Sequence, residues 1–333
     1  MVHRRAFAKL NLMLSVGPPL PPGASHAGYH PIASWFACIS LWDDVEITVR
    51  DSGGGCEISW APDAPRPTPI DWPLEKDLAV RAHRALEAHV GRALPADMVV
   101  RKRIPVGGGL GGGSSDAAAA LLALREAFEL EVSDEDLAGI GAKLGSDVVY
   151  FLDSEDEVPA AAIVEGLGEH IERIDFRQGK LVLVIPEFGC ATGAVYRGFD
   201  ELIAEHDRAR LMAWQVERFA RERDGVAPGS PPTPHRVRPE LVRERAGKMP
   251  ERIESRFLFN DLAKAAYKVE PKLGNLVTGL QRATRESAHV TGSGSCVFLI
   301  DDALGKTMDR VQRAKAQLET QAGPLVVLAA ELV

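Results

Sequence analysis

A glycine-rich segment that joins an apolar stretch to an alanine-rich one constrains this chain more than any other feature. It runs from Pro105 to Asp116 and contains six glycines in twelve residues. The apolar residues of 99–106 before it and 117–124 after it predict a strand, a loop and a helix that begins at Ser114 or Ser115. Glycines leave backbone N–H groups open to close approach by an anion, and the positive end of the helix dipole points the same way. The segment therefore predicts a phosphate-binding loop.

Other readings of the loop fit less well. Gly107, Gly109 and Gly112 satisfy the dinucleotide pattern G-x-G-x-x-G, but that pattern needs an acidic residue at the end of a second strand about 20 residues on. The residues at 116–130 instead predict a helix. A Walker A loop ends in Gly-Lys-Ser/Thr, whereas this one ends in Gly-Ser-Ser-Asp. A flexible glycine linker would have solvated neighbours, and both flanks here are apolar.

The loop resembles the phosphate-binding motif of the GHMP kinases, named for the galacto-, homoserine, mevalonate and phosphomevalonate kinases. Its Gly-Gly-Gly-Ser-Ser ending is similar to one branch, the 4-diphosphocytidyl-2-C-methyl-D-erythritol kinases. Further segments resemble the family in the same order along nearly the whole chain: residues 8–14 with Gly28-Tyr29-His30, residues 145–151, and residues 291–298.

The order of predicted elements, mostly strands and then mostly helices, favours an α+β fold. The resemblance implies the two-domain GHMP kinase fold, with a ribosomal protein S5 domain 2-like N-terminal domain at 1–175 that carries the ATP-binding glycine loop. It implies a ferredoxin-like α/β C-terminal domain at 176–333. A segment rich in Pro, Arg and Glu at about 221–256 predicts a surface insertion, with no regular structure over 225–234 because of its prolines. A strand is predicted at 148–152.

Two polar side chains near the N-terminus and one aspartate form the predicted catalytic group. Lys9 and Asn11 share one face of a strand, because side chains two apart point the same way. Asp147 lies in a turn beside apolar residues, so partial burial would require a charged partner, for which Lys9 is the candidate. The resemblance implies that Asp147 accepts the proton of an alcohol. It implies that Lys9 keeps this aspartate ionised and stabilises the transferred phosphoryl group.

The resemblance also implies ATP and Mg²⁺ as cofactors. Ser115 or Asp116 could contact Mg²⁺, and the sequence leaves that choice open. The ATP-binding residues are predicted to be Pro105, Gly107, Gly108, Gly109, Leu110, Gly111, Gly112, Gly113, Ser114, Ser115 and Asp116.

For the acceptor, the resemblance implies a small-molecule cytidine diphosphate whose 2-hydroxyl is phosphorylated, a step in isoprenoid precursor synthesis by the non-mevalonate route. It implies that Tyr29 and Tyr196 stack on the cytosine ring while His30 reads the base edge. Asn11 and Thr192 would contact the methylerythritol end. A GHMP kinase of the mevalonate or homoserine type would have no need of Tyr29, His30 and Tyr196. A non-catalytic nucleotide-binding relative would lack Lys9 or Asp147.

The sequence departs from the family pattern at three places near these residues. Ala27 stands before the Gly-Tyr-His turn, where Asp is usual. Asp77 stands where an Asn is typical of the adenine side. Val149 and Tyr150 replace the usual Pro-Phe after Asp147. None of these changes removes a residue assigned to phosphoryl transfer.

Composition limits the remaining classes of function. The chain has 333 residues, 45% of them hydrophobic, and a formal net charge of −8, which gives no electrostatic reason to expect nucleic acid as a partner. Acidic residues are interleaved with the basic ones of 221–256, so a solvated mixed-charge face is favoured there. Four scattered cysteines suggest neither a zinc cluster nor a disulfide framework, and no apolar run is long enough to span a membrane. We expect a cytoplasmic enzyme, with monomer or homodimer left open.

Overall fold

A computed structural model describes residues 1–153, 158–223, 235–301 and 305–333. The strands within these ranges form two sheets. They are β1 Val2–Val16, β2 Ile32–Val49, β3 Cys56–Trp60, β4 Ala96–Lys102, β5 Ala162–Gly166, β6 His170–Arg173, β7 Lys180–Pro186, β8 Phe259–Asn260, β9 His289–Val290, β10 Val297–Ile300 and β11 Leu325–Glu331.

Helices cover both sheets. They are α1 Leu78–Val90, α2 Gly112–Ala127, α3 Asp134–Leu144, α4 Thr192–Arg223, α5 Pro239–Lys248, α6 Ala263–Val269, α7 Pro271–Thr284 and α8 Lys306–Ala322. Short 3₁₀ turns lie at Leu74–Lys76, Val149–Phe151 and Ser255–Phe257.

The first sheet is built around the long antiparallel pair of β1 and β2. Its strands run in the order β3-β4-β2-β1-β8, with β5 paired to β2 and β6 paired to β5. The second sheet has the order β11-β7-β10-β9. The α+β prediction is confirmed. The domain boundary predicted at 175 falls between β6 and β7, although β8 lies beyond it and pairs with β1; the boundary stays a prediction.

Alternation along β7 links the two sheets. Leu181, Leu183 and Ile185 pack in a cluster with Leu10 of β1, whereas Val182 and Val184 pack with residues of α7 and α8. Because side chains alternate across a strand, β7 buries both of its faces. The first sheet therefore rests on the second, and β1 carries Lys9 and Asn11 close to this junction.

Helix α2 begins earlier than the sequence predicted. It starts at Gly112 rather than Ser114 or Ser115, because Gly111 adopts a left-handed conformation with φ 74° and its carbonyl accepts from the Ser115 N–H at 2.9 Å. All residues from Ser115 to Leu124 are buried, and half of them are alanine. Small side chains let the helix approach β1 and β2 closely, which sets the position of the glycine loop.

The predicted strand at 148–152 is wrong. The N–H groups of Val148 and Phe151 donate to carbonyls three residues back, so this segment forms a 3₁₀ turn. Tyr150 and Phe151 are both buried in the core next to α2 and α3. An apolar run that is buried on every side has no strand periodicity to detect, so its length and composition misled the prediction.

The predicted surface insertion at 221–256 stays a prediction, and its second half contains a helix that packs on the core. Helix α5 begins with Pro239 in its first turn, where proline is well tolerated, and buries Val242 and Ala246 in the core with Met249 and Leu258. The predicted irregular stretch at 225–234 lies entirely outside the described residues. In the described part of the chain, no helix is both long and apolar enough to cross a membrane.

Candidate active site

The glycine loop lies between two cavities. The loop cavity, of about 380 Å³, is lined by residues 104–114 together with Trp72, Lys76, Asp77, Leu78, Lys102 and Asp116. The large cavity, of about 650 Å³, includes Lys9, Asn11, Tyr29, His30, Asp147, Thr192 and Tyr196 in its wall. Gly109 and Gly111 line both cavities. A group bound at the loop is therefore next to a molecule bound in the large cavity.

Two positions of the loop require glycine. Gly109 and Gly111 have φ values of 78° and 74°, which side-chain-bearing residues rarely adopt. A Cβ on Gly109 would lie 2.5 Å from the carbonyl oxygen of Thr291, and a Cβ on Gly111 would lie 3.1 Å from Cγ of Lys9. The loop thus packs tightly against the third sequence motif on one side and against Lys9 on the other.

Lys9 and Asp147 meet at the wall of the large cavity. The Lys9 Nζ lies 3.0 Å from Asp147 Oδ2, and the side chains are 5% and 27% exposed. Nζ also donates to Asn11 Oδ1 at 2.8 Å and lies 4.3 Å above the Phe36 ring. The ammonium is held by the protein while the carboxylate keeps an exposed edge, so Asp147 can accept a proton from a bound molecule.

Asn11 has its orientation fixed by its neighbours. Its Nδ2 donates to Ser34 Oγ at 2.9 Å, and Ser34 Oγ in turn donates to the Met13 carbonyl at 2.5 Å. This leaves Oδ1 facing Lys9. The backbone N–H of Asn11 donates to Thr291 Oγ1 at 3.0 Å. The third motif therefore braces β1 directly behind the lysine, which the sequence motif alone did not show.

The other end of the large cavity holds the predicted base-binding residues. The rings of His30 and Tyr196 are 4.9 Å apart, and Tyr29 is 62% exposed. Thr192 Oγ1 lies 3.0 Å from Ser293 Oγ. Burial raises the pKa of the Tyr196 hydroxyl to about 12, and the charge of Asp147 adds to this, so Tyr196 stays neutral. The structure thus brings the five predicted substrate residues to one cavity.

Sequence reasoning missed a buried charge cluster under the loop. Lys102 Nζ lies 2.6 Å from Asp43 Oδ2 and 2.5 Å from Asp116 Oδ2, with all three side chains almost fully buried. Asp43 also accepts from the backbone N–H groups of Arg103 and Ile104. The cluster ties β2, the end of β4 and the start of α2 together. Asp43 and Lys102 lie 59 residues apart and belong to no motif used in the prediction.

The charges in this cluster are not balanced. Burial by itself lowers the pKa of Lys102, but the carboxylates of Asp116 and Asp43 outweigh burial and raise it. Burial raises the pKa of Asp116 well above its ordinary 3.8; Lys102 opposes this shift and Asp43 adds to it. Two carboxylates share one ammonium, and Asp116 Oδ1 is buried with no hydrogen-bond partner. Asp116 thus lines the loop cavity and carries a buried oxygen that no hydrogen bond satisfies.

The two candidate magnesium contacts differ in placement. Asp116 lines the loop cavity and has the unpartnered Oδ1. Ser115 is buried, is not among the residues that line that cavity, and donates its hydroxyl to the Gly112 carbonyl at 3.1 Å. Both side chains offer oxygen, which Mg²⁺ prefers, but only Asp116 lines the loop cavity, so the placement favours Asp116 as the candidate contact. Among the residues that the structure describes, no three His, Cys, Asp or Glu side chains form a metal cluster by themselves.

Asp77, which departs from the family pattern, has a structural use. Its Oδ1 accepts from the Ala79 N–H at 2.9 Å and caps helix α1, and its Oδ2 accepts from Trp72 Nε1 at 3.0 Å. A carboxylate performs both tasks as well as an amide oxygen would. Asp77 lines the loop cavity, and these two hydrogen bonds hold its side chain in place.

A fixed ammonium beside a half-exposed carboxylate, one loop away from a phosphate-binding cavity, is what phosphoryl transfer to an alcohol requires. The fold and this site together define a small-molecule kinase of the GHMP type. A family model of the GHMP kinases N terminal domain matches residues 77–162, a range that contains the glycine loop and Asp147.

Known proteins narrow the class further. The chain is 32% identical over 314 residues to 4-diphosphocytidyl-2-C-methyl-D-erythritol kinase of Chromobacterium violaceum, covering 94% of this chain and 90% of that protein. It is 30% identical to the kinase of the same name from Burkholderia ambifaria, with 95% and 89% covered. The chain belongs to the 4-diphosphocytidyl-2-C-methyl-D-erythritol kinase family.

Solved structures agree with this assignment. A crystal structure of 4-(cytidine 5'-diphospho)-2C-methyl-D-erythritol kinase matches with a TM-score of 0.65 and 26% identity over 99% of both chains. A mevalonate kinase of L. major, in complex with R-mevalonate, has a TM-score of 0.63 at 15% identity and covers 100% of this chain and 96% of its own. The second likeness shows a shared fold only.

Proposed function

We propose that the protein transfers the γ-phosphoryl group of ATP to the 2-hydroxyl of 4-diphosphocytidyl-2-C-methyl-D-erythritol, giving the 2-phosphate and ADP. The observation that carries the proposal is the position of the Lys9–Asp147 pair. The pair lies in the wall of the large cavity, and Gly111 of the phosphate-binding loop packs against Lys9. Family membership supports the choice of acceptor.

The glycine loop would hold the ATP phosphates. Backbone N–H groups of residues 107–113 and the N-terminus of α2 present positive potential to an anion without any cationic side chain. All the predicted ATP-binding residues except Ser115 line the loop cavity. Mg²⁺ bound with ATP would neutralise phosphate charge, and Asp116 is the residue best placed to hold it.

Asp147 would act as the general base. Its exposed edge accepts the proton of the acceptor hydroxyl as the oxygen attacks the γ-phosphorus. Lys9 keeps Asp147 ionised through the 3.0 Å contact and stabilises the negative charge on the phosphoryl oxygens. Asn11 fixes the lysine ammonium through its Oδ1, so the pair is oriented before the acceptor binds.

The aromatic end of the cavity would select the nucleotide. Stacking of a base on an aromatic ring contributes roughly 1–3 kcal/mol. Tyr29, His30 and Tyr196 offer such rings about the same part of the large cavity, and Thr192 and Asn11 offer polar groups along its wall. A mevalonate or homoserine acceptor has no ring to place there. We propose that the enzyme works in the cytoplasm, in the non-mevalonate route to isoprenoid precursors.

An acceptor panel tests the proposal. The purified protein is incubated with Mg²⁺, ATP and, separately, 4-diphosphocytidyl-2-C-methyl-D-erythritol, mevalonate or homoserine, and ADP release is followed. We expect turnover with the cytidylyl acceptor alone. Turnover with another alcohol would reject the assigned acceptor, and ATP binding without any turnover would favour a non-catalytic relative.

An Asp147→Asn variant tests the assigned base in the same assay. Asn cannot take the proton, so we expect kcat to fall by about 10²–10⁴-fold. Asp175→Asn serves as the matched control, because the Asp175 side chain is 92% exposed and lies outside both cavities. Activity of Asp147→Asn equal to that of the control would remove Asp147 from the mechanism.

A further inference from the structure

The wall of the large cavity contains a second carboxylate that the mechanism does not use. Asp200 lies on α4, where Thr192, Tyr196 and Asp200 follow one another every four residues. The three side chains therefore share one face of the helix. The Asp200 side chain is 38% exposed, and its Oδ2 lies 3.6 Å from His30 Nε2. This charge belongs to the aromatic end of the cavity rather than to the Lys9–Asp147 pair.

The other nitrogen of His30 fixes its hydrogen-bonding roles. Nδ1 lies 2.9 Å from the carbonyl oxygen of Gly17, and a carbonyl can only accept, so Nδ1 carries the hydrogen. In the neutral ring Nε2 then presents a lone pair. In this neutral form, Nε2 and Asp200 Oδ2 are two acceptors that lie 3.6 Å apart. A ligand group with two N–H donors would satisfy both.

The acceptor assigned above contains such a group. The exocyclic amine of cytosine carries two N–H donors, whereas the 4-position of uracil is a carbonyl oxygen that only accepts. We propose that Asp200, together with His30 Nε2, accepts hydrogen bonds from this amine and is the specificity-determining residue that selects cytidine over uridine. The inference rests on the proposed function, because it deepens the description of the same acceptor site.

The expected selectivity follows from the charge on Asp200. A uracil carbonyl would place its lone pairs against a carboxylate and leave both protein acceptors without a donor. Sites built to hydrogen-bond a substrate group reject analogues that lack it, because their own polar groups are then left unpaired. Stacking on Tyr29 and Tyr196 does not distinguish the two bases, since both have a π-face.

The test compares kcat/KM for 4-diphosphocytidyl-2-C-methyl-D-erythritol with that for its uridine counterpart, using the full chain with Mg²⁺ and ATP. We expect Asp200→Ala to lower the cytidine-to-uridine ratio by about tenfold to hundredfold. We expect Asp200→Asn to lower it as well and to gain activity on the uridine compound, because an amide can donate to the uracil oxygen. Glu201→Gln is the matched control, since Glu201 pairs with Lys268 at 2.8 Å and does not line the cavity.

A ratio that stays within about twofold of the wild-type value in both Asp200 variants would overturn the inference. An equal loss with both acceptors would also overturn it, since Asp200 would then only support the cavity wall. Calorimetric titration with CMP and UMP compares the affinity of the protein for the two bases without turnover. If the wild-type protein phosphorylates no cytidylyl acceptor, the proposed function fails, and equal affinities for CMP and UMP would then reject the role of Asp200 as well.

Discussion

Two lysine–carboxylate clusters flank the glycine loop, and they use the same chemical groups differently. At the large cavity Lys9 meets a single carboxylate, Asp147, whose side chain is 27% exposed. Under the loop Lys102 meets Asp43 and Asp116, whose side chains are 0% and 4% exposed. The first cluster faces a cavity that can hold an acceptor, and the second ties three elements of the fold together.

The exposed fraction of the carboxylates therefore distinguishes the roles of the two clusters, although both clusters consist of the same chemical groups. A carboxylate with an open edge can exchange a proton with a bound molecule, whereas a buried one must be compensated where it stands. Asp116 lies between these cases, because it is buried but has one oxygen without a partner at the cavity wall. The difference between the clusters predicts that substitutions in the first will mainly change activity and those in the second will mainly change stability.

Lys102→Met should have the largest effect. It leaves two buried carboxylates without their ammonium, so we expect the free energy of unfolding to fall by about 3–5 kcal/mol. Urea-induced unfolding followed by circular dichroism measures the change. Lys268→Met removes an exposed pair with Glu201 and should leave the free energy of unfolding nearly unchanged. Equal losses for the two variants would erase the distinction between the clusters.

Lys9→Met should change activity rather than stability. In the proposed mechanism the lysine stabilises charge that develops during phosphoryl transfer, so we expect kcat to fall by about 10²–10³-fold. Asp147 stays partly solvated, so the free energy of unfolding should fall by less than in Lys102→Met, which leaves two fully buried carboxylates without an ammonium. Lys248→Met, at an exposed pair on α5, serves as the control for both assays. A loss of stability as large as that of Lys102→Met would contradict the comparison.

Gly111→Ala should perturb Lys9 from outside the cluster. The left-handed φ costs roughly 1–2 kcal/mol for any residue with a Cβ, and this Cβ would press against Cγ and Cε of Lys9. Gly91→Ala has a similar φ of 70° but no atom within 4 Å of its Cβ. We expect similar losses of stability for both variants, measured by thermal unfolding. Only Gly111→Ala should lower kcat, and unchanged kcat there would show that the contact with Lys9 is not needed.

The pH dependence of stability should reveal the excess carboxylate under the loop. The pKa of Asp116 is higher in the folded than in the unfolded protein, so above pH 3.8 the folded state holds more protons than the unfolded state. Stability then declines as pH rises through this interval, by at most about 1.4 kcal/mol per pH unit for one proton. Asp116→Asn removes the titration.

The measurement is urea unfolding of the wild-type and Asp116→Asn proteins at pH 5, 6.5 and 8. The free energy of unfolding of the wild type relative to the variant should fall as pH rises. A difference that is constant across these pH values, or that grows in favour of the wild type, would show that Asp116 is fully compensated by Lys102.

Residues that belong to contiguous motifs could be found from the sequence. Short sequence patterns contain the glycine loop, Lys9 with Asn11, and Asp147, and each pattern indicates a chemical role. The structure brings these residues together. The predicted strand before the glycine loop and the predicted helix after it are also observed, as β4 and α2. The start of α2 was missed by two or three residues because a glycine in a left-handed conformation, rather than serine, precedes its first turn.

Residues that act through long-range contacts could not be found in this way. Asp43, Ser34 and Asp200 are single polar residues in otherwise ordinary segments, and their roles arise from partners 59, 23 and 170 positions away. Helix α5 was missed because its charged surface dominates its composition. The spacing of Val242 and Ala246 after Pro239 was the available indication of a helix with one buried face.

The two cavities differ in how much of the chain builds them. The loop cavity is lined entirely by residues 72–116, whereas the wall of the large cavity draws on residues from Lys9 to Ser293. The hydrogen bond from Asn11 to Thr291 joins positions 280 residues apart. The glycine loop also leans on the C-terminal half, because the Gly108 carbonyl accepts from the Cys296 N–H at 3.2 Å. Both cavities consequently take their final shape only after the C-terminal half has folded onto β1 and the loop.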